Sequence, residues 1–281
     1  MNDSIKRTPS SATFWFMLTP ALAYARPPIH TAVAVWLALL TCGCQMWPAP
    51  IYPRLELPAG AARTRVLFVG NSLTYYNDLP GLLAQLSRNE PAPIEFDYET
   101  HPAWSLRRHW EWGSARKKIA DGRWNYVVLQ DFSTMPVDEL EISIEYFRRF
   151  CELVTRSGGR AIVFENWPRK NRPNDAMTLA ETYRTIQSQT GAAIAPVGQA
   201  WRRSRAAHPQ IALMIDDRHP TPAGTYLAAC VLYQAIYQKP ATSLPTEIEG
   251  LRLDPPTATK LRETARLAFD PRSLDAPAMG H

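Results

Sequence analysis

Three polar residues stand where chemistry could be done. Ser72 follows Gly70 and Asn71 directly after the apolar run Val66–Val69. Far along the chain, IDDRHPTPAGTYLAA (Ile215–Ala229) carries Asp216 three residues ahead of His219. A serine hydroxyl is a weak nucleophile until a base takes its proton. The suitable base is a histidine held by a carboxylate. On a turn or first helical coil, three-residue spacing lets Asp216 hydrogen-bond the His219 ring and leaves the other ring nitrogen to face Ser72. Asp217 is the rival acid, but side chains two apart tend to point apart. Taken alone, Asp-x-x-His is more often an ordinary surface turn, so it gains meaning only if the fold brings it to Ser72.

The elements that could do so alternate along the chain. Strands are expected at Arg65–Val69, Ile94–Tyr98, Tyr126–Leu129, Arg160–Phe164 and Ala192–Val197. Helices are expected at Pro80–Arg88, Leu106–Asp121, Val137–Arg156, Asp175–Thr190, Gln199–Ala207, Pro222–Tyr237 and Ala258–Phe269. Strands separated by helices imply βαβ units, a parallel sheet and right-handed crossovers. The expected architecture is a flavodoxin-like three-layer α/β/α domain with a five-stranded parallel sheet in the order 2-1-3-4-5. Ligands then sit at the carboxyl ends of the strands near the reversal of strand order, which is where Ser72 falls. Gly70 is expected to let the chain turn sharply there.

A Gly-Asn-Ser after the first strand and an Asp-x-x-His-Pro near the end resemble the SGNH (GDSL-type) hydrolase family. The likeness runs from about Arg65 to Tyr237 and is strongest to a bacterial branch with GNS(F/L)TYYNDLP. WNYVVLQDFS (Trp124–Ser133), PVGQAW (Pro196–Trp201) and DDRHPTPAGTYLAACVLY (Asp216–Tyr233) also read like that branch. The resemblance implies Ser72 as nucleophile, His219 as general base and Asp216 as orienting acid. It makes the Ser72 N–H one oxyanion donor and implies a second at a glycine after strand two, where Ala103 stands. The family's third donor is an asparagine in a GxND block. LQDFS replaces that block, leaving Gln130 as the substitute, since Phe132 at the matching place cannot donate. Asn71, Asn77, Trp104 and Trp167 are the candidates for touching substrate, Trp167 as part of a Glu165-Asn166-Trp167 wall where the fourth strand ends on the ligand side. Asn77 and Asp78 follow the nucleophile and could both touch substrate, but capping the helix at Pro80–Arg88 is the favoured role for them.

The whole chain has 281 residues, 46% hydrophobic and 20% charged, with a formal charge of +5. No run of Lys or Arg suggests a nucleic-acid groove. Residues 1–44 read as an export signal, with a cleavage-like Ala23-Tyr24-Ala25 and a lipobox-like Thr41-Cys42-Gly43-Cys44. Both apolar stretches fall short of the ~20 residues that span a bilayer. The expected location is therefore the periplasm or, with a lipid anchor at Cys44, the membrane surface of a bacterial envelope. Residues 45–63 read as a Pro-rich linker, 64–270 as the hydrolase-like domain and 271–281 as a tail. Four cysteines show no metal spacing, and Cys151 and Cys230 read as buried thiols, a disulfide between them being the alternative. No metal and no organic cofactor is required.

The reading is a serine esterase acting on small acyl esters through an acyl-enzyme on Ser72. The family's range implies an O-acetyl group of a carbohydrate. One alternative is a non-catalytic binding protein that keeps the fold. Another is a flavodoxin-like phosphate or flavin binder using Ser72–Thr74, which leaves Asp216 and His219 unexplained.

Overall fold

A computed structural model describes residues 51–245 and 248–269, so the expected export signal, Cys44 and the tail from 271 lie outside the described residues. Five strands form one parallel sheet in the order β2-β1-β3-β4-β5. They are β1 (Thr64–Gly70), β2 (Ile94–Thr100), β3 (Tyr126–Leu129), β4 (Arg160–Phe164) and β5 (Ala193–Ala195). Register runs Val66 beside Phe96 and Tyr126, and Val128 beside Ile162. Strand order therefore reverses next to β1, and the expected architecture is the observed one.

Alternation along the strands makes two cores. Val66, Phe68, Val128, Ile162 and Phe164 face one side, where α2 (Leu79–Leu86), α8 (Val197–Ala207) and α9 (Pro222–Tyr237) cover them. Leu67, Val69, Val127, Leu129 and Val163 face the other. There α3 (Leu106–Trp112), α4 (Ser114–Asp121), α6 (Leu140–Arg156) and α7 (Asp175–Thr190) pack. Successive strand side chains point to opposite faces, so strands covered on both sides read as continuous apolar runs. Helix α9 is buried almost all round because α10 (Pro255–Ala268) covers its outer side. Cys151 and Cys230 are free and buried on opposite faces of the sheet, which rules out the disulfide alternative. Burial pushes both thiols up to about 12.

Three elements depart from expectation. The segment expected as one helix over Leu106–Asp121 breaks at Gly113, whose φ of 94° caps α3 and redirects the chain. The helix expected from Val137 is interrupted at Glu139, which separates a single turn, α5 (Met135–Asp138), from α6. Residues 51–63 contain no helix or strand, yet their first residues pack on the domain. Tyr52 is buried, the Ile51 and Tyr52 N–H groups donate to Asp78 Oδ2, and Gln85 Nε2 donates to the Pro53 carbonyl.

Candidate active site

At the end of β1 the chain enters α1 (Ser72–Tyr75), a single turn capped by Asn71, whose side chain accepts the Leu73 N–H. Gly70 has no positive φ, so freedom to turn is not what places a glycine there. A Cβ at Gly70 would lie 2.5 Å from Thr74 Oγ1 and 2.7 Å from Gln130 Oε1, so the position needs the space. A short 3₁₀ turn over Tyr76–Asp78 follows, with Asn77 and Asp78 at positive φ, a conformation Asn and Asp tolerate best. Asp78 then caps α2 through Gly81 N–H.

The late loop is shaped by its own acid. Asp216 Oδ1 accepts the Arg218 and His219 N–H groups, each at 2.7 Å, which curls Ile215–His219 into a tight turn. A bridge between Met214 and Pro220 closes its base. Asp216 Oδ2 lies 2.7 Å from His219 Nδ1, and His219 Nε2 lies 3.0 Å from Ser72 Oγ, across 147 positions of sequence. A carboxylate facing Nδ1 favours a proton there, so neutral His219 offers Nε2 as acceptor to the Ser72 hydroxyl. Partial burial works to raise the Asp216 pKa. Hydrogen bonds from the Arg218 N–H and from the ring and N–H of His219 outweigh it and hold the carboxyl well below its ordinary value.

Contacts from five residues fix this loop. Tyr76 stacks on the His219 ring at 4.7 Å and 15°. Asn77 Nδ2 donates to the Pro220 carbonyl and to Thr225 Oγ1, both at 2.9 Å. Trp167 Nε1 donates to the Arg218 carbonyl. The Lys170 N–H donates to the Asp217 main-chain carbonyl, and the Asp217 carboxylate accepts the Asn171 N–H and faces Arg169 rather than His219.

Several expected residues do other work. Gln130 is fully buried, and its Oε1 faces the Asn71 N–H, which fixes the amide orientation. Its Nε2 donates to Asn166 Oδ1 and the Asp131 carbonyl, so it has no hydrogen left for an oxyanion. Asn71 is 2% exposed and its amide is spent on the Trp104 and Asp131 carbonyls, so it does not reach substrate. Asn77 clamps the loop through its Nδ2, and the cap on α2 comes from Asp78 instead. Trp167 is also buried, stacked on Trp201 at 3.9 Å beneath the loop. Phe132 occupies the place the resemblance gives to a donor asparagine, with the Arg169 guanidinium 5.4 Å from its ring centre.

Ala103 sits in a turn closed by the Trp104 N–H on the His101 carbonyl, while the His101 N–H is bonded to the Gly70 carbonyl. Its φ is 58°, so an L side chain occupies the left-handed region where the resemblance expects a glycine. Replacing Ala103 with glycine is expected to stabilise the protein by up to about 1 kcal/mol, since relief of strain exceeds the added unfolded-state entropy. The midpoint of urea unfolding measures this; an unchanged or lowered midpoint contradicts it.

Sequence reasoning passed over Asp131 and misjudged Glu165. Asp131 is buried and accepts the Leu106 and Phe132 N–H groups and the Ser143 hydroxyl, tying α3 and α6 to the end of β3. Glu165 was expected in a substrate wall with Asn166 and Trp167, and all three are buried. Its Oε2 has no hydrogen-bond partner, and desolvation pushes its pKa to about 8. His109, buried against the Gly70 carbonyl at 2.8 Å, goes the other way, to about 4. Below pH 4.5 Glu165 is protonated folded and unfolded; as pH rises the unfolded chain loses that proton first, so stability falls toward pH 8. Between pH 6.5, above which His109 is neutral in both states, and pH 8, the loss from Glu165 is about 2 kcal/mol. Glu165→Gln should flatten the wild-type decline across that window in urea unfolding; parallel declines contradict the assignment.

No family model and no curated protein matches the chain. Solved structures do. A protein from Slackia heliotrinireducens, provisionally described as an SGNH hydrolase, aligns at a TM-score of 0.55 and 24% identity, over 62% of this chain and 99% of that one. A DUF4886 family protein from Bacteroides uniformis aligns at 0.61 and 18% identity, over 74% and 95%. An acetyl xylan esterase aligns at 0.51 and 9% identity, over 61% and 99%. With its five-stranded 2-1-3-4-5 sheet and a serine at the end of the first strand, the chain has the fold of the SGNH hydrolases.

Proposed function

We propose that this protein is a serine ester hydrolase that works through an acyl-enzyme on Ser72. The observation that carries the proposal is the continuous line from Asp216 through His219 to Ser72, at 2.7 and 3.0 Å. Ser72 Oγ attacks the ester carbonyl as His219 Nε2 takes its proton. The carboxylate of Asp216 stabilises the imidazolium so formed. That proton passes to the leaving alcohol as the carbon–oxygen bond breaks. A water, deprotonated in turn by His219, then hydrolyses the acyl-enzyme and returns the proton to Ser72.

The oxyanion is assigned to the Ser72 and Ala103 N–H groups, which take no acceptor from the chain among the described residues. With Gln130 spent and Phe132 in the asparagine's place, the third donor is missing. One donor is worth about 10²–10³ in rate, so the enzyme is expected to be slow within its fold. The substrate class is a small acyl ester, with an O-acetyl group on a carbohydrate favoured by the sequence resemblance and by the activity named for one structural neighbour. Export by the N-terminal segment, with or without a lipid on Cys44, belongs to the same proposal.

The missing donor favours one other reading, a binding protein that retains the fold without turnover. A fluorophosphonate probe separates the two. An activated serine reacts covalently, and the added mass maps to Ser72. No labelling of folded protein overturns the hydrolase and leaves the binding protein.

A further inference from the structure

Beside the Ala103 turn lies an aromatic and cationic cluster that the hydrolytic line does not use. Trp104 is fixed there because its carbonyl accepts from Asn71, the residue before Ser72. The His101 ring stacks on Trp104 at 4.0 Å and 23°, and Glu99 Oε1 holds His101 Nε2 at 3.1 Å. The Arg108 guanidinium lies 4.7 Å from the centre of the Trp104 ring. Trp112 meets Trp104 edge to face at 5.9 Å and is 72% exposed. Gly113 ends α3 immediately after Trp112 and turns the chain away, so nothing folds back over that ring.

The charges around the cluster are uneven. Arg107 is paired with Glu111, Lys117 with Asp121, and Lys118 with Asp97 and Glu99. Among the described residues no carboxylate pairs with Arg108. An arginine stacked on an aromatic ring keeps its in-plane N–H groups free for a planar anion such as a carboxylate. Tryptophan is highly buried on average, so an indole exposed this far beside a cation and a second indole stands out from the rest of the surface.

We infer that Trp112 and Arg108 form a subsite for an acidic sugar, the pyranose ring lying on Trp112 and its carboxylate bonded to Arg108. The inference rests on the ester-hydrolase reading and narrows it: the acylated substrate is a glycan containing carboxylate-bearing residues. The subsite borders the turn that holds Ala103, so it would grip the polymer next to the ester under attack. A single exposed tryptophan beside a catalytic turn suits a sugar ring better than a membrane, which apolar side chains enter as a group.

The test uses full-length protein carrying Ser72→Ala, so that binding is read without turnover. A galacturonate oligomer and a neutral xylose oligomer are titrated while tryptophan fluorescence is followed. The galacturonate oligomer is expected to bind at least about tenfold more tightly, and the preference to shrink as salt rises. Arg108→Gln and Trp112→Ala are each expected to remove about tenfold in affinity, with unchanged thermal unfolding. Arg266→Gln, on α10 across the sheet from α3, serves as the charge control and should change nothing. Equal affinity for the two oligomers, no binding of the acidic one, indifference to Arg108, or capture by phosphatidylglycerol vesicles in place of the oligomer overturns the subsite. Acidic-oligomer binding that persists without ester turnover in wild-type protein instead sinks the hydrolase and spares the subsite.

Discussion

Ser72→Ala is expected to lower turnover of p-nitrophenyl acetate by about 10⁴–10⁶-fold, because the covalent route disappears with the hydroxyl. His219 and Asp216 would remain, and a water could still be activated near the two backbone donors. That residual path is the reason for expecting a large loss rather than an absolute one. Ser72 is only partly buried and its removal leaves no unpaired buried group, so stability should move by no more than about 0.5 kcal/mol. The check is kcat/KM together with the urea midpoint of the same preparation. A rate within tenfold of wild type in a folded protein would show that the nucleophile lies elsewhere or that Ser72 is not activated.

The second large effect belongs to the acid. Asp216→Asn should reduce kcat by about 10²–10⁴-fold and leave KM nearly unchanged. An asparagine can keep accepting from the Arg218 and His219 N–H groups through its oxygen, so the turn survives. Its amide nitrogen would then face His219 Nδ1, where it donates rather than accepts. The ring proton is driven to Nε2, the nitrogen that must accept from Ser72 at 3.0 Å. Hydrogen bonds already hold the Asp216 carboxyl well below its ordinary pKa, so the wild-type acid stays ionised down into acidic solution. Asp217→Asn supplies the contrast. Its Oδ1 accepts the Asn171 N–H and its carboxylate faces Arg169, so less than about tenfold should be lost. Equal losses at the two positions would reassign the orienting acid. The rate of fluorophosphonate labelling gives a second readout of the same change, since it follows the activation of Ser72 without passing through deacylation.

Apolar runs such as Val66–Val69, alternating with helical segments, determined the parallel sheet, because strands buried on both faces must be apolar throughout and crossovers have one hand. Three-residue spacing determined the Asp216–His219 pair, because that contact forms within a single turn. Only the tertiary structure decided what lies between distant segments. Gln130 reads as a donor at a strand end until Asn71 and Asn166 consume its amide. Trp167 reads as a cleft wall until Trp201 stacks beneath it. Asn77 reads as a cap until it reaches Pro220, 143 positions away. A polar side chain serves whichever partner the packing brings to it, and burial without a partner is too costly to persist widely. Hydrophobic pattern and local spacing are written in neighbouring residues; the spending of each hydrogen-bond donor is settled by chain segments that meet only once the sheet has closed.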